Sequence, residues 1–466
     1  MNSSQTLARE QETERATAIR EALWRGPRSS GELLRLLDSS QPTLSRTIQK
    51  IPNIIRFREP GVRTPRYALL RQEVVFSPQP IYRVGEDGHV AQVGAASFLR
   101  GGGTWVESGH TGNRLYEGLP PAMAFAAPSG YLGAKLARIV ANEIDVPASL
   151  RDWSDDHRIK FLCAFGADTP GSLIWGQDSF AAHMTSRQGV PIPPGKVEQA
   201  YWELANETTR TRVGSGSSGG EQPKFTCETQ ERGHLIVKFA RAGTRSAELL
   251  VLEELALRAL RDTGVPAAVA RYVESTGFGY LEVGRFDRIG RFGRRGMISA
   301  GAIDDELFGR RDNWPAFAQR CEQSRILEDS AVRTIFVLTA FSELIGNNDR
   351  HFENLSLMTD ELGHPTHLAP AYDMLPMMYA QMGGGIDPEL NLVNPSFQTL
   401  GARGDIWDQA FLAAHDFWER ASKDDRLSAP MRRASSENMA HISQVVAPLL
   451  SEPPEDDGSH AERQGG

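Results

Sequence analysis

Residues 345–355 read Ile345-Gly346-Asn347-Asn348-Asp349-Arg350-His351-Phe352-Glu353-Asn354-Leu355, and Ala371-Tyr372-Asp373-Met374-Leu375 comes shortly after. The preceding run, Ala331–Leu344, carries Val332, Ile335, Phe336, Leu338 and Thr339 at helical spacing and predicts a helix stopped by Gly346. That helix delivers Asp349 and Asn354, five apart on one loop. Leu355–Met358 and His367–Ala369 predict a hairpin around Glu361-Leu362-Gly363-His364, with Tyr372-Asp373 beyond it. A carboxylate and an amide oxygen on neighbouring loops suit a hard cation such as Mg²⁺. Two other patterns compete. Asn-Asp-Arg-His is also an ordinary loop with Asp373 as a helix cap, and His351, His364, His367 and Asp373 together would suit a transition metal.

The sequence upstream favours the first pattern. Val213–Lys224 contains G-x-G-x-x-G at Gly214, Gly216 and Gly219, a motif that a flexible linker also produces. The Walker A form fails because Gly220 stands at the lysine position, and the dinucleotide form fails because Pro223–Glu228 continues as a strand. Strand, glycine loop, strand remains, the arrangement that covers ATP phosphates in protein kinases. The next strand, His234–Phe239, sets Lys238 among apolar neighbours, where an ammonium needs an anion or an exit to water. Helix Ser246–Leu260 offers Glu248 as its ion-pair partner, with Glu253 as the rival. In kinase order Asp349 orients the attacking hydroxyl and takes its proton, and Asn354 and Asp373 hold Mg²⁺. A metal hydrolase would leave the glycine loop and Lys238 without a role.

Further out, residues 10–72 predict helix, helix, turn, helix and hairpin. Ser29-Ser30-Gly31-Glu32 is a capping box, Pro42 fits a first helical turn, and Ile54–Phe57 and Tyr67–Leu70 read as strands. This is the layout of a winged helix-turn-helix. Residues 40–72 hold seven Lys/Arg against one acid, whereas the whole chain of 466 residues carries a net charge of −8. A basic segment on an acidic body directs a polyanion to that segment alone. Pro42, Thr43, Ser45 and Arg46 are the candidates for a major groove, and Arg58, Arg63 and Arg66 for phosphates beside the wing. A protein-interaction domain with a solvated basic face is the alternative.

Hydrophobic residues at 40% and charged residues at 24% exclude fibrous and wholly disordered chains. No apolar run reaches the ~18 residues of a membrane span, and no signal-peptide core precedes the first segment. Cys163, Cys227 and Cys321 lack paired spacing, which points to a reducing cytoplasm. Residues 1–9 and the acidic tail 451–466 read as disordered, residues 73–205 as a subdomain without legible chemistry, and 206–450 as the body bearing the motifs. Within 73–205, Leu119–Gly133 reads as turn-rich and the prolines after Trp175 as an exposed link.

Together the motifs resemble those of the HipA-like serine/threonine kinases, toxins of toxin–antitoxin modules. S-x-x-G-x-x-x-K (Ser217, Gly220, Lys224), the strand ending at Lys238, R-F-D-R (Arg285–Arg288), N-D-x-H-x-x-N (Asn348–Asn354) and Tyr372-Asp373 occur in that family's order. The prefix looks like that of the HipH (YjjJ) branch. The resemblance implies an α+β, protein-kinase-like bilobal fold behind an N-terminal winged helix-turn-helix domain. It also implies ATP and Mg²⁺ as cofactors and Asp349 as the catalytic residue. Gly219, Gly220, Glu221, Gln222, Pro223, Lys224 and Lys238 would then bind phosphates, and the backbone of Gly284, Arg285 and Phe286 the adenine. His351, Phe352, Glu353, Asn354, Tyr372 and Asp373 would complete the site, with Asn354 and Asp373 on the metal. Ser217 matches the loop serine such kinases phosphorylate on themselves. A protein substrate, an antitoxin, duplex DNA through residues 10–72 and a homodimer are the implied partners. A nucleotide-sensing regulator and a small-molecule phosphotransferase remain the rival functions. Gly284 departs from the family in replacing an acidic residue, and Pro223 removes one loop N–H.

Overall fold

The structure, a computed structural model, describes residues 3–109, 112–210, 222–381, 386–401 and 403–450. Helix α1 (Ser3–Trp24) begins where disorder was expected for residues 1–9; its Ala, Glu, Gln and Arg content favours a helix even without a strong apolar stripe. β1 (Arg28–Ser29) and α2 (Ser30–Leu37) come next, joined by the expected capping box. The Glu32 N–H donates to Ser29 Oγ at 3.2 Å, and the Ser29 N–H donates to Glu32 Oε2 at 2.7 Å. α3 (Gln41–Gln49) carries Pro42 in its first turn, and β2 (Ile54–Phe57) and β3 (Arg66–Leu69) close a sheet of order β1-β3-β2. Ile19, Leu23, Leu33, Leu44, Ile51, Tyr67 and Leu69 form its core.

These elements belong to a larger unit comprising residues Met1–Val190, Asp287–Ile298 and Thr359–His364. Its second layer is a five-stranded antiparallel sheet: β4 (Gln79–Val84), β5 (Val90–Phe98), β6 (Thr104–Ser108), β7 (Arg114–Tyr116) and β8 (Leu173–Trp175), in the order β7-β6-β5-β4-β8. The stretch expected to be turn-rich instead enters two helices, α4 (Pro121–Ala126) and α5 (Gly130–Val140), because a proline at a first helical position does not oppose a helix. α6 (Asp155–Phe165) and α7 (Gln177–Ser186) complete the layer. The two layers are joined by packing. Phe57 lies 4.4 Å from Trp105 between ring centroids, and the Arg71 and Arg100 N–H groups donate to the Phe98 and Leu69 carbonyls at 2.9 and 2.8 Å.

The second half of R-F-D-R also serves this unit. Asp287 Oδ2 accepts from the Gly171 N–H at 3.0 Å, and Arg288 reaches Asp168 at 2.7 Å and the Thr169 carbonyl at 2.9 Å.

The other unit spans Pro191–Phe286, Ser299–Met358 and Pro365–Gly466, so the chain divides after 190 and not at the expected 205. The reason is a pairing with residues distant in sequence. Ile192 bonds the backbone of Glu228 and Gln230, and helix α8 (Val197–Arg210) packs Tyr201 and Ala205 against Phe225, Leu235, Val237 and Tyr280. β9 (Lys224–Thr229), β10 (Gly233–Arg241), β11 (Ala270–Ser275) and β12 (Phe278–Gly284) form an antiparallel sheet of order β11-β12-β10-β9. α9 (Arg245–Asp262) crosses between β10 and β11 in sequence. Then come α10 (Ala300–Leu307), α11 (Trp314–Gln323) and α12 (Asp329–Ile345), the hairpin strands β13 (Ser356–Thr359) and β14 (Pro365–Leu368), and the helices α13 (Gly404–Lys423) and α14 (Ala429–Leu450). Among the described residues no helix is long and apolar enough to cross a membrane.

His183 on α7 is buried, accepting from Arg294 Nη2 at 3.1 Å, and burial together with the Arg294 charge pushes its imidazole down to about 4. Between pH 6.5 and 4 the unfolded chain therefore binds a proton that the folded chain refuses, and stability falls as the pH falls through that window. His183→Gln is expected to flatten this part of a thermal-stability profile against pH, and an unchanged slope would contradict it.

Candidate active site

Lys238 points from β10 into the interior, with only 7% of its surface exposed. Its ammonium donates to both carboxylate oxygens of Glu253 at 2.8 Å and also to Asp373. Burial alone would push the ammonium down; the charges of Asp373 and Glu253 reverse this, and the net direction is up. Asp373 is pushed up by burial but held well below the usual carboxylate range by Lys238 and Lys224. Glu253 is raised by burial, only partly offset by Lys238. The expected partner Glu248 is engaged elsewhere, with Arg245 at 3.3 Å and the Ser428 N–H at 2.8 Å. Glu253 lies in the buried stripe of α9 with Leu249, Leu252, Ala256 and Leu260. An acid inside an apolar stripe must have a buried partner, and the Lys238 ammonium is that partner.

Gly346 ends α12 at φ +71°, where a Cβ would collide with Met378 and Val393. The turn sends the chain into 347–354. The Asp349 N–H donates to Asn347 Oδ1 at 3.1 Å, and Asn354 Nδ2 donates to the Asp349 carbonyl at 3.0 Å. The backbone of Asp349 is thereby fixed while 47% of its side chain stays exposed. Arg350 turns back to Glu343 at 2.6 Å, and Phe352 packs on Phe317 at 5.6 Å. His351 lies 3.4 Å from Glu353 and 3.8 Å from Asp349, and is raised by the Glu353 bond first and by Asp349 next. Glu353 is pulled down to about 2 by His351 and Arg311 against the effect of burial.

Asp373 adopts φ +54°, a left-handed conformation that aspartate tolerates better than most residues. Its neighbour Tyr372 donates to the Glu353 carbonyl at 2.6 Å and meets Ser356 Oγ at 2.7 Å. Phe286 stands 5.8 Å from the Tyr372 ring. His351 and Asp373 are close enough for each charge to act on the other's titration. The structure therefore gathers Lys238, Glu253, Asp373, Tyr372, Asn354, His351, Glu353 and Asp349 around one region of this unit. Lys224 faces Lys238 across the β9–β10 ladder, Gln222 Nε2 donates to the Phe239 carbonyl at 2.6 Å, and the Pro223 carbonyl accepts from the Phe239 N–H at 2.9 Å. Ser217, Gly219, Gly220 and Glu221 lie outside the described residues. The Gly284 and Arg285 N–H groups are taken by the Val269 and His234 carbonyls, at 2.9 and 3.0 Å.

In the first unit Pro42, Ser45 and Arg46 are exposed along α3, and Arg58 and Arg63 are exposed in the loop between β2 and β3. Thr43 is half-buried beside Ser40. Arg66 is spent internally, on Glu59 at 3.2 Å and the Pro27 carbonyl at 3.4 Å. Among the described residues no three His, Cys, Asp or Glu side chains gather as a protein-built metal cage would need, so the His351, His364, His367, Asp373 alternative has no geometric support.

A family model for the HipA-like C-terminal domain matches residues 216–446, and one for the middle domain of YjjJ-like toxins matches 75–184. Toxin YjjJ of Escherichia coli (strain K12) is 31% identical over 438 residues, covering 92% of this chain and 97% of that protein. The chain belongs to the YjjJ-like toxins of the HipA family. Two solved structures are similar at a greater distance. The Shewanella oneidensis MR-1 HipA, from a complex with HipB and operator DNA, has 14% identity and a TM-score of 0.49 over 80% of this chain and 100% of its own. The Helicobacter pylori proinflammatory kinase CtkA has 11% identity and a TM-score of 0.37 over 51% of this chain and 93% of its own.

For this YjjJ-like chain, Glu253→Gln is expected to cost about 3 kcal/mol or more, since it removes one anion from a buried cation. Glu248→Gln, whose partners are an arginine and a backbone N–H, is expected to cost only ~1 kcal/mol. Urea unfolding of the two variants checks the ranking, and equal losses would contradict it.

Proposed function

We propose that this chain is an ATP- and Mg²⁺-dependent serine/threonine protein kinase of the cytoplasm, inhibiting growth as a toxin, whose N-terminal segment binds duplex DNA. The observation that carries the reading is Lys238, buried between Glu253 and Asp373 beside a loop that presents Asp349 and Asn354. An ammonium and a carboxylate side by side fit a triphosphate and its cation. The Asn354 amide nitrogen is committed to the Asp349 carbonyl, which turns its oxygen toward the role of ligand. One amide oxygen and one carboxylate from Asp373 suit Mg²⁺, which takes its other ligands from phosphate and water. When bound, magnesium–ATP supplies the γ-phosphoryl group together with much of its counter-charge.

The protein's own groups then have distinct tasks. Asp349 orients the substrate hydroxyl and accepts its proton, and Lys238 and Lys224, with Gly219–Pro223, hold phosphate oxygens. With the Gly284 and Arg285 N–H groups already used, the adenine falls to the Gly284–Phe286 carbonyls and the Phe286 N–H. His351, Phe352, Glu353 and Tyr372 shape the remaining wall. Phosphate on Ser217 would add about −1.5 to −2 charges to the loop and drive it from the acidic site, so self-modification would silence the enzyme. We read the three helices and the β1-β3-β2 sheet as a winged helix-turn-helix, with Pro42, Thr43, Ser45 and Arg46 in the groove and Arg58 and Arg63 on phosphates. Arg66, bonded internally, has a lesser part. An antitoxin partner and a homodimer on a two-fold operator accord with family membership and with this module.

Incubation of the full chain with γ-labelled ATP tests the kinase. Label should appear on the protein and on a protein substrate, disappear in Asp349→Asn, and leave only the substrate in Ser217→Ala. Lys238→Met, which also leaves two buried carboxylates without their shared cation, should weaken ATP binding by at least about tenfold when measured where circular dichroism shows the variant folded. Nucleotide binding without transfer to any protein would end this reading in favour of a sensor. Separately, duplex DNA should be retained at low salt and lost steeply as salt rises, with Arg46→Glu reducing the salt slope. Retention independent of salt, or none at any salt, would remove the DNA-binding assignment.

A further inference from the structure

Arg311 is held by more structure than a surface arginine needs. It lies between α10 and α11 at φ +46°, a left-handed conformation that costs a non-glycine residue on the order of 1 kcal/mol. The fully buried Asp304 carboxylate accepts both the Arg310 and Arg311 N–H groups at 2.8 Å and is itself paired with Arg320 at 2.8 Å. Asp305 grips the guanidinium from the far side, at 2.8 Å from Nε and 2.7 Å from Nη2. The third nitrogen, Nη1, is thereby aimed at Glu353. Gly301 leaves room for that pair, because a Cβ there would stand 2.6 Å from both Arg311 Nη1 and Glu353 Oε1. From Glu353 the contacts run on to His351 Nδ1 at 3.4 Å, and from His351 Nε2 to Asp349 Oδ2 at 3.8 Å.

We propose that Arg311 is a positioning residue for phosphoryl transfer, fixing the direction of the Asp349 carboxylate through Glu353 and His351. The inference rests on the kinase reading above. The hydrogen bonds of Asn347 and Asn354 secure only the main chain of Asp349, so its half-exposed carboxylate needs another constraint. A base must come within about 3 Å of the proton it takes, and a misplacement of ~1 Å costs about a hundredfold in rate. A strained backbone, a buried carboxylate on its main-chain N–H and a glycine crowded by the end of its guanidinium all bear on Arg311. A loop that merely closed the surface would need none of them.

The test uses the full chain. Arg311→Ala should lower kcat for label transfer by on the order of ten- to a hundredfold, with KM for ATP changing less than about twofold. Gly301→Ala, which displaces only the ends of two flexible side chains, should reproduce the effect, and Arg311→Lys should restore part of it. Arg311→Ala combined with Glu353→Gln should be no slower than the slower single variant, because both break one chain of contacts. Unchanged kcat with only a lower melting temperature, or losses that multiply in the double variant, would overturn the proposal. If the wild-type chain transfers no phosphate, the kinase reading falls by itself. Hydrogen exchange across 347–354 then still reports on Arg311: faster exchange in Arg311→Ala and Gly301→Ala retains its hold on the loop, and unchanged exchange rejects it.

Discussion

A lysine ammonium sealed from water is the constraint on which this unit is built. Removing such a charge from solvent costs several kcal/mol, and an ion pair inside a protein commonly does no more than recover that loss. Lys238 recovers it from two carboxylates that arrive on different elements, Glu253 on α9 and Asp373 on the segment after β14. The three groups meet only if β10, α9 and that segment keep one relative placement, so the cluster fixes geometry more than it adds stability. Lys224, opposite Lys238 on the β9–β10 ladder, acts on both carboxylates as well, so two cations face two anions here.

The surroundings are arranged to preserve that placement. Along its outer edge α9 is tied to the last turn of α13 and to the turn that follows it: Asp262 to Arg420 at 2.8 Å, Glu254 to Arg426 at 2.5 Å, and Glu248 to the Ser428 N–H at 2.8 Å. Its other face is filled by Leu249, Leu252, Leu255, Ala256 and Leu260. A helix held on both sides presents Glu253 to Lys238 without needing a ligand to draw it in. The Asp373 side is anchored by backbone pairing, with the Ala371 N–H donating to the Pro266 carbonyl at 2.9 Å and its carbonyl accepting from Ala268 at 2.8 Å. In the 347–354 loop Asn347, Phe352 and Asn354 are buried, while Asn348, His351 and Glu353 are exposed and Asp349 is half-exposed.

Much of this could be read from the chain because punctuation and periodicity sat close together in sequence. Gly346 after an apolar helix, the Asp349–Asn354 interval and the Ser29–Glu32 box are local signals, and local hydrogen bonds decide them. What could not be read depends on distant residues. Choosing Glu253 over Glu248 required knowing which face of α9 is buried. The division at 190 required Ile192 to find β9. Arg311 carries no sequence signature, since its importance comes from Asp304 and Gly301 on α10 and from Glu353 on the distant 347–354 loop. Arg66 illustrates the reverse error: net charge counted it toward a polyanion surface, whereas its guanidinium is already spent on Glu59 and Pro27.

The first unit raises a different question, namely whether its basic segment moves independently. A domain on a flexible linker would share few apolar contacts with the adjoining layer. Here Phe57, Ala68 and Leu70 share one core with Leu99 and Trp105, Arg71 is paired with Asp156, and Arg100 lies 3.6 Å over the Trp24 ring. Gly101 approaches the Arg25–Gly26 backbone so closely that a Cβ would meet it at 2.6 Å. Contacts of this density make residues 10–72 and the β4–β8 layer one body. The Pro42–Arg46 face of α3 and the Arg58–Arg63 loop are therefore oriented by the whole unit, so a duplex engaged by them would meet that layer at a fixed angle, unlike one captured by a tethered module.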